Sequence, residues 1–247
     1  MSDPRIPVIC VDPSSVPSLT IFNPNNWIGE SKAIVQSCAT VYSVLQHGVK
    51  RIADVCLSSN RLCQPHIDNL VAQWKQKPWD LSKAICYGQV PELHMLIEAF
   101  FSGIKSFLDL AVQLISTEGI VGSRLQGFHQ VGSTYGGNVL NSLERNVRKG
   151  REQDAQRIRA FISEQKELWI DEVIESRHQL IHPSGGIHQL MFRFELEDRE
   201  GDLVCREVVP PFVGESQIDV YSARRMQNLR DFALRFIDIL KPTKPAA

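Results

Sequence analysis

The chain has 247 residues, 43% of them hydrophobic and 22% charged, a composition typical of globular proteins with a sizeable core. The formal net charge is −1 and the isoelectric point is near 6.7, so the chain is not an overall basic protein that coats nucleic acid. Any contact with RNA or DNA therefore needs a local basic patch. No two of the six cysteines have CxxC spacing, which argues against a zinc site built on thiolates.

Neither the first ten residues nor the most apolar stretch of the sequence indicates export or membrane insertion. The sequence MSDPRIPVIC has no basic segment followed by an apolar one, so we expect no secretion signal. The most apolar stretch is interrupted by Glu98, Lys105 and Asp109, which favours a buried helix over a membrane span. We therefore expect a cytoplasmic protein without a membrane partner.

The first half of the chain predicts an extended arm followed by helices. Five prolines in residues 1–26 favour an extended arm, because proline lacks the amide donor. Apolar residues at helical spacing predict an amphipathic helix over 31–59, and Pro65 is expected to open a second, shorter helix. The stretch PWDLSKAICYG is interpreted as a further short helix, and Pro91–Thr117 as a long central helix.

A glycine-rich loop separates these helices from the next one. Six glycines between Gly119 and Gly137 predict a long flexible loop of the kind that often carries function. From about 138 to 181 the pattern is helical again, with a break expected near Gly150.

After Pro183 the apolar residues recur at every second position, which predicts a β-hairpin over 188–209. A last helix is expected from about Ser222 to Leu240, and residues 242–247 are expected to be a disordered tail. The predicted fold is therefore mainly all-α. Residues 27–241 are expected to form a single antiparallel helical bundle, with the small hairpin inserted before the last helix.

The sequence IESRHQLIHPSGG at the end of the long helical pattern holds the main candidate site, Arg177, His178 and His182. On an ideal helix Arg177 and His182 are about 140° apart, so they do not share a face. Either the helix ends near Ile181 and His182 turns, since Pro183 disfavours helical geometry before it, or a second chain brings the residues together. Arginine binds phosphate bidentately and histidine moves protons near neutral pH, a pair suited to RNA cleavage through the 2′-hydroxyl.

Arginine, then a polar residue, then three residues and a histidine, at the end of a long helix, resembles the motif of the HEPN superfamily. The resemblance covers the helical frame, roughly residues 31–182 and the last helix, and only the six-residue motif is specific. It implies a homodimer with the motif at its interface and a metal-independent endoribonuclease without a cofactor. Such enzymes act in toxin–antitoxin and defence systems, so an antitoxin or another protein partner is implied too. By resemblance Arg177 clamps the phosphate, His182 transfers the proton and His178 orients it.

Other members of that superfamily are catalytically silent, so a binding or assembly module for a protein or nucleotide is the alternative function. A structural role is open as well, because basic side chains at a helix carboxyl end interact favourably with the helix dipole, by about 0.3–1 kcal/mol.

Two more groups of residues complete the candidates. A set of basic residues could guide an RNA backbone, although a solvated helix face would have the same pattern: Arg124, Arg145, Arg148, Lys149 and Arg151. A metal site is a weaker alternative, because it would need further partners such as His94 and Glu98 to join one acidic face: Asp171, Glu175, His178 and His182. The sequence itself predicts no metal site.

Overall fold

The computed structural model describes residues 22–77, 84–181 and 190–240. Within them the protein is mainly helical, with a small antiparallel sheet. The helices are α1 (Gly29–Leu57), α2 (Ser59–Gln76), α3 (Pro91–Thr117), α4 (Gly137–Arg145), α5 (Glu152–Gln165), α6 (Asp171–Ile181) and α7 (Ile218–Leu240). A π-helical turn, Lys166–Ile170, joins α5 to α6 without a break, so Glu152–Ile181 is one continuous helical run.

The core forms between antiparallel helices. Helix α3 is apolar on most of its surface and packs along α1, with Leu45 against Gly103 in the middle of the pair. The helical run α5–α6 packs along α7, where Phe161 stacks on Phe232 at 5.3 Å between ring centroids. Near the other end of α7, Arg225 pairs with Glu172 of α6. The burial of these apolar stripes is what fixes the direction of α6 and hence of its end.

The longer predicted helices agree with the structure in type and differ at some boundaries. The predicted helix Pro91–Thr117 has those bounds in the structure, with proline at its first position. The prediction that Pro65 opens a helix is wrong, because α2 begins at Ser59 and Pro65 lies inside it. A proline there removes one backbone hydrogen bond, which the packing of Cys63, Ile67 and other side chains of α2 in the core offsets. Helix α7 begins at Ile218, before the predicted Ser222.

The sheet has one strand more than predicted. The predicted hairpin is present as β2 (Met191–Arg199) and β3 (Asp202–Val209), with Phe192, Phe194 and Leu196 buried on one face. The interpretation of PWDLSKAICYG as a helix is wrong for its described part. Residues Ala84–Gln89 form strand β1, which pairs antiparallel with β2 so that Cys86 lies opposite Phe194. A short ribbon of β4 (Phe212–Val213) and β5 (Ser216–Gln217) precedes α7.

The ends of the chain are described only in part. Residues 1–21 and 242–247, which hold most of the predicted arm and the predicted tail, lie outside the described residues. Residues 22–26 of the arm include a 3-10 turn at Pro24–Asn26, and Phe22 packs against Tyr42 and Phe107 in the core. None of the described helices combines the length and the apolar character that a membrane crossing needs.

The glycine-rich loop is held against the helices by buried apolar side chains. Ile120, Val121, Leu125 and Phe128 are buried. The amide of Phe128 donates to Asp109 Oδ1 on α3 at 2.6 Å. The predicted break near Gly150 is present as the segment between α4 and α5. These contacts bring the end of the loop, Tyr135, next to the surface of α6.

Candidate functional site

The helix that carries the motif contains a π-helical turn seven to eleven residues before Arg177. Lys166–Ile170 make i→i+5 geometry, with Trp169 buried and its indole N–H donating to Gln165 Oε1 at 2.9 Å. Such turns insert an extra residue and are frequent at functional sites. The buried side of the helix nevertheless continues through the turn, from Ile162 to Trp169 and Val173.

Arg177 and His178 lie on different sides of α6. Arg177 is four residues after Val173 and three after Ile174, both buried, so by helical phase it lies between them on the core-facing side. His178 is about 100° further round, on the polar side with Glu175. Both side chains are partly buried. The third residue of the motif, His182, lies outside the described residues, so its position relative to Arg177 stays a prediction.

Arg177 has no acidic partner in the described part of the chain. Its Nε is buried and has no hydrogen-bond acceptor among the described residues. The same part of the chain gives its guanidinium no ion pair within 4 Å. The segment that follows α6, residues 182–189, contains no aspartate or glutamate. A partly buried guanidinium without a carboxylate is unusual, because buried polar groups almost always have partners.

The polar side of α6 is occupied by Tyr135 from the glycine-rich loop. Its ring stacks on the imidazole of His178, with centroids 5.6 Å apart and planes 21° from parallel. Its phenol O–H donates to Glu175 Oε2 at 2.7 Å, and Gln179 Nε2 donates to Glu175 Oε1 at 3.2 Å. The hydrogen bond from Tyr135 lowers the pKa of Glu175, and the bond to Glu175 raises the pKa of Tyr135 to about 12. Near neutral pH the pair is therefore a neutral donor on an ionised acceptor.

Lys166, in the π-helical turn, binds the glycine-rich loop at Tyr135. It is 6% exposed, and its ammonium donates to the backbone carbonyl of Tyr135 and to Asp171 Oδ1, the latter at 2.6 Å. The ammonium also lies 5.8 Å from the centroid of the Phe128 ring. Sequence reasoning missed Lys166, although a signal was present. It occupies a position of the apolar series Ile162, Lys166, Trp169, Val173, where a charged residue indicates a buried, partnered cation.

The five predicted RNA-binding residues lie at the other end of the helical run. Arg124 pairs with Glu30 at 2.8 Å. Arg151 pairs with Asp154 at 2.8 Å and donates to the carbonyl of Glu118 at the end of α3. Arg145, Arg148 and Lys149 are exposed, and no carboxylate of the described residues pairs with them. At a rise of about 1.5 Å per residue, Arg151 is on the order of 40 Å from Arg177. The structure does not bring these groups together within one chain.

The alternative metal site finds little geometric support in the described residues. His94 Nε2 lies 3.1 Å from Glu98 Oε1 on the same helix, so these two side chains contact each other. Glu175 is engaged by Tyr135 and Gln179. Within ranges 22–77, 84–181 and 190–240, no three His, Cys, Asp or Glu side chains are placed to hold a metal ion together.

Comparisons with known proteins give no match to any family model, curated protein or solved structure.

Proposed function

We propose that this protein is a HEPN-type, metal-independent endoribonuclease that cleaves RNA by attack of the 2′-hydroxyl on the neighbouring phosphate. The observation that carries the proposal is the state of Arg177. It is a permanent cation in the motif, its Nε–H is buried, and no described residue accepts from it. A phosphate oxygen is the acceptor that a guanidinium fork binds best, so RNA would supply the missing partner.

The proposed chemistry assigns one step to each residue. His182 takes the proton of the 2′-hydroxyl while the bond from that oxygen to phosphorus forms. The bond from phosphorus to the 5′-oxygen then breaks, and that oxygen receives a proton from an imidazolium or water. Arg177 stabilises the extra negative charge on the phosphorane oxygens. The products are a 2′,3′-cyclic phosphate and a 5′-hydroxyl, and His178 supports the orientation of the reacting groups.

The proposal includes the HEPN-like arrangement of the helices and a homodimer. Its support is that Arg177 and His178 lie within the last five residues of the described part of α6. A second copy related by a two-fold axis can place the same helix end opposite the first and complete the site. In a toxin or defence setting, an antitoxin or another protein partner would block this surface.

The test is RNA cleavage with EDTA present. Wild-type protein is incubated with several single-stranded RNAs beside the variants Arg177→Ala and His182→Ala. A matched control is Arg61→Ala, an exposed arginine on α2 outside the proposed site. We expect the wild type and the control to cleave at rates within about twofold. Both motif variants should lose on the order of 100-fold or more in rate while their circular dichroism spectra stay unchanged.

The product ends give an independent check, since attack by the 2′-hydroxyl must leave a cyclic phosphate that blocks ligation. Full activity of Arg177→Ala would remove the phosphate-clamp role. RNA left intact by the wild type across all substrates would remove the enzyme proposal. Tight RNA or protein binding without cleavage would instead favour the catalytically silent module.

A further inference from the structure

Tyr135 contacts the motif helix at three separate points. Its ring stacks on His178, its phenol donates to Glu175, and its backbone carbonyl accepts from Lys166. The ring contact and the phenol contact involve residues three apart on α6, which lie on one side of a helix. Tyr135 therefore contacts both His178, the residue next to Arg177, and the carboxylate of Glu175.

The contact with Lys166 makes it energetically unfavourable for Tyr135 to move away from α6. Lys166 is almost fully buried, and its ammonium is satisfied by Asp171, the Tyr135 carbonyl and the nearby face of Phe128. A buried ammonium that loses one of its acceptors is strongly disfavoured. Movement of Tyr135 away from α6 would break that contact. The loop end is thus held at a defined position on the helix.

The ring contact restricts His178 in particular. An imidazole on a helix surface ordinarily samples several rotamers. A parallel stack at 5.6 Å, with the stacking ring anchored at its phenol oxygen and at its backbone, leaves fewer of them. Functional side chains need neighbours that fix their rotamers, and misplacement by about 1 Å can cost on the order of 100-fold in rate.

We propose that Tyr135 is the positioning residue for His178 in the RNA-cleaving site. This inference rests on the proposed function and adds the glycine-rich loop to it. Tyr135 touches neither the phosphate nor the reacting oxygens. It acts by holding the imidazole of His178 at one orientation beside Arg177. The phenol contributes through Glu175, and the ring contributes through the stack.

The experiment compares Tyr135→Phe, which keeps the ring, with Tyr135→Leu, which removes it. Tyr87→Leu is the matched control, because Tyr87 is an outward-facing tyrosine on β1 that is 62% exposed. Each protein is studied by NMR, where the ring current of Tyr135 shifts the ring protons of His178, and by cleavage kinetics. The His178 resonances are identified with His178→Gln.

In Tyr135→Leu we expect the His178 resonances to move toward their solvent-exposed positions. The kcat should fall on the order of 100-fold with KM within about threefold of wild type. Tyr135→Phe should keep the ring-current shift and lose about three- to tenfold in kcat, since the stack remains and the bond to Glu175 is gone. Tyr87→Leu should match the wild type in both measurements.

The outcomes separate the two proposals. If the wild type cleaves and a folded Tyr135→Leu retains its kcat, the positioning role is overturned and the endoribonuclease proposal stands. The same holds if kcat falls while the His178 resonances stay where they are, because Tyr135 would then act by another route. If the wild type cleaves no RNA, the proposed function fails and the role of Tyr135 in it fails with it.

Discussion

Arg177 differs from the arginines that stabilise this fold. Arg225 on α7 also has a buried Nε, but it is paired with Glu172, and its guanidinium lies 4.9 Å from the centroid of the Tyr221 ring. Arg193 has a buried Nε too and pairs with Glu195 at 3.1 Å. Arg177 and Arg230 also have a buried Nε, and they receive no carboxylate from the described residues. Of these two only Arg177 belongs to the motif, so the lack of a carboxylate supports a binding role for Arg177 only together with its place in the motif.

The bond between Tyr135 and Glu175 should stabilise the fold over a defined range of pH. The folded state lowers the pKa of Glu175 from 4.5, so its contribution is present above that value and is lost as the pH falls through the lower folded pKa. The folded state raises the pKa of Tyr135 from 10.0 to about 12. The stability that Tyr135 contributes is therefore present below pH 10.0 and is lost as the pH rises through about 12.

Tyr135→Phe should therefore lower the free energy of unfolding by about 1 kcal/mol or less near neutral pH, since the bond lies near the surface. Urea unfolding at neutral and at acid pH measures the difference from wild type. The difference should vanish at a pH well below the folded pKa of Glu175. A difference of the same size at both pH values would show that the phenol acts through some group other than this carboxylate. Tyr87→Phe serves as the control.

The glycine-rich loop depends on glycine at one position for space and at another for backbone conformation alone. Gly132 and Gly136 both have left-handed φ, at +60° and +66°. A methyl group added at Gly136 would lie 2.2 Å from Cζ of the buried Phe128 ring, whereas one added at Gly132 would meet no atom within 4 Å. Gly136 thus allows the close approach of the loop to Phe128, the residue whose ring lies beside Lys166.

We expect Gly132→Ala to cost about 1–2 kcal/mol of unfolding free energy, the usual cost of a left-handed non-glycine residue. Gly136→Ala should cost about 1–3 kcal/mol more, because Phe128 must shift in a packed core. Equilibrium unfolding in urea measures both. Equal costs at the two positions would mean that Phe128 moves aside freely, and the loop would then not be held as tightly as its contacts suggest.

The elements that the sequence predicted well are those fixed by local patterns. Helix α3 has a proline at its first position and an apolar repeat along its length, so both its type and its bounds were predictable. Strand β1 was not, because Ile85 and Tyr87 face outward while Gly88 packs against Phe194, and its partner strand lies about a hundred residues away. Non-local pairing of this kind overrides a weak local pattern.

The same distinction holds for the candidate site. The placement of Arg177 and His178 on a helix follows from sequence. The contact of Tyr135 with His178 does not, because it depends on the path of a loop that is fixed by the burial of Leu125 and Phe128 and by the bond to Asp109. The π-helical turn at Lys166–Ile170 was equally hidden, since the buried residues Ile162, Trp169 and Val173 keep ordinary helical spacing through it.

In the folded chain the exposed basic residues lie far from the motif. Arg145, Arg148 and Lys149 lie beyond one end of the run Glu152–Ile181, and Arg177 lies near the other, on the order of 40 Å away. An RNA held by both groups of one chain would have to extend along the whole run. In a symmetric dimer built on the helix ends, the two motifs are adjacent and the two basic groups lie at the far ends. Such a dimer would concentrate the proposed chemistry at its centre, where residues of both chains can meet.

A dimer of this kind predicts that two inactive variants, Arg177→Ala and His182→Ala, recover activity when they are mixed. If each site takes Arg177 from one chain and His182 from the other, a mixed dimer of Arg177→Ala and His182→Ala has one intact site and one site that lacks both residues. With random exchange about half of the dimers are mixed, so the mixture should recover about a quarter of the wild-type cleavage rate. Differently tagged chains, co-expressed and co-purified, measure the fraction of mixed dimers directly.

The control is a mixture of Arg177→Ala with the double variant Arg177→Ala/His182→Ala, which contains no intact arginine and should stay inactive at every ratio. Mixed dimers that form in the expected proportion and do not cleave would place Arg177 and His182 of one site on the same chain. In that case a departure from helical geometry before Pro183 would have to bring His182 toward Arg177, because the regular helical phase separates them by about 140°. Recovery of activity requires the other route, with the second chain supplying the histidine.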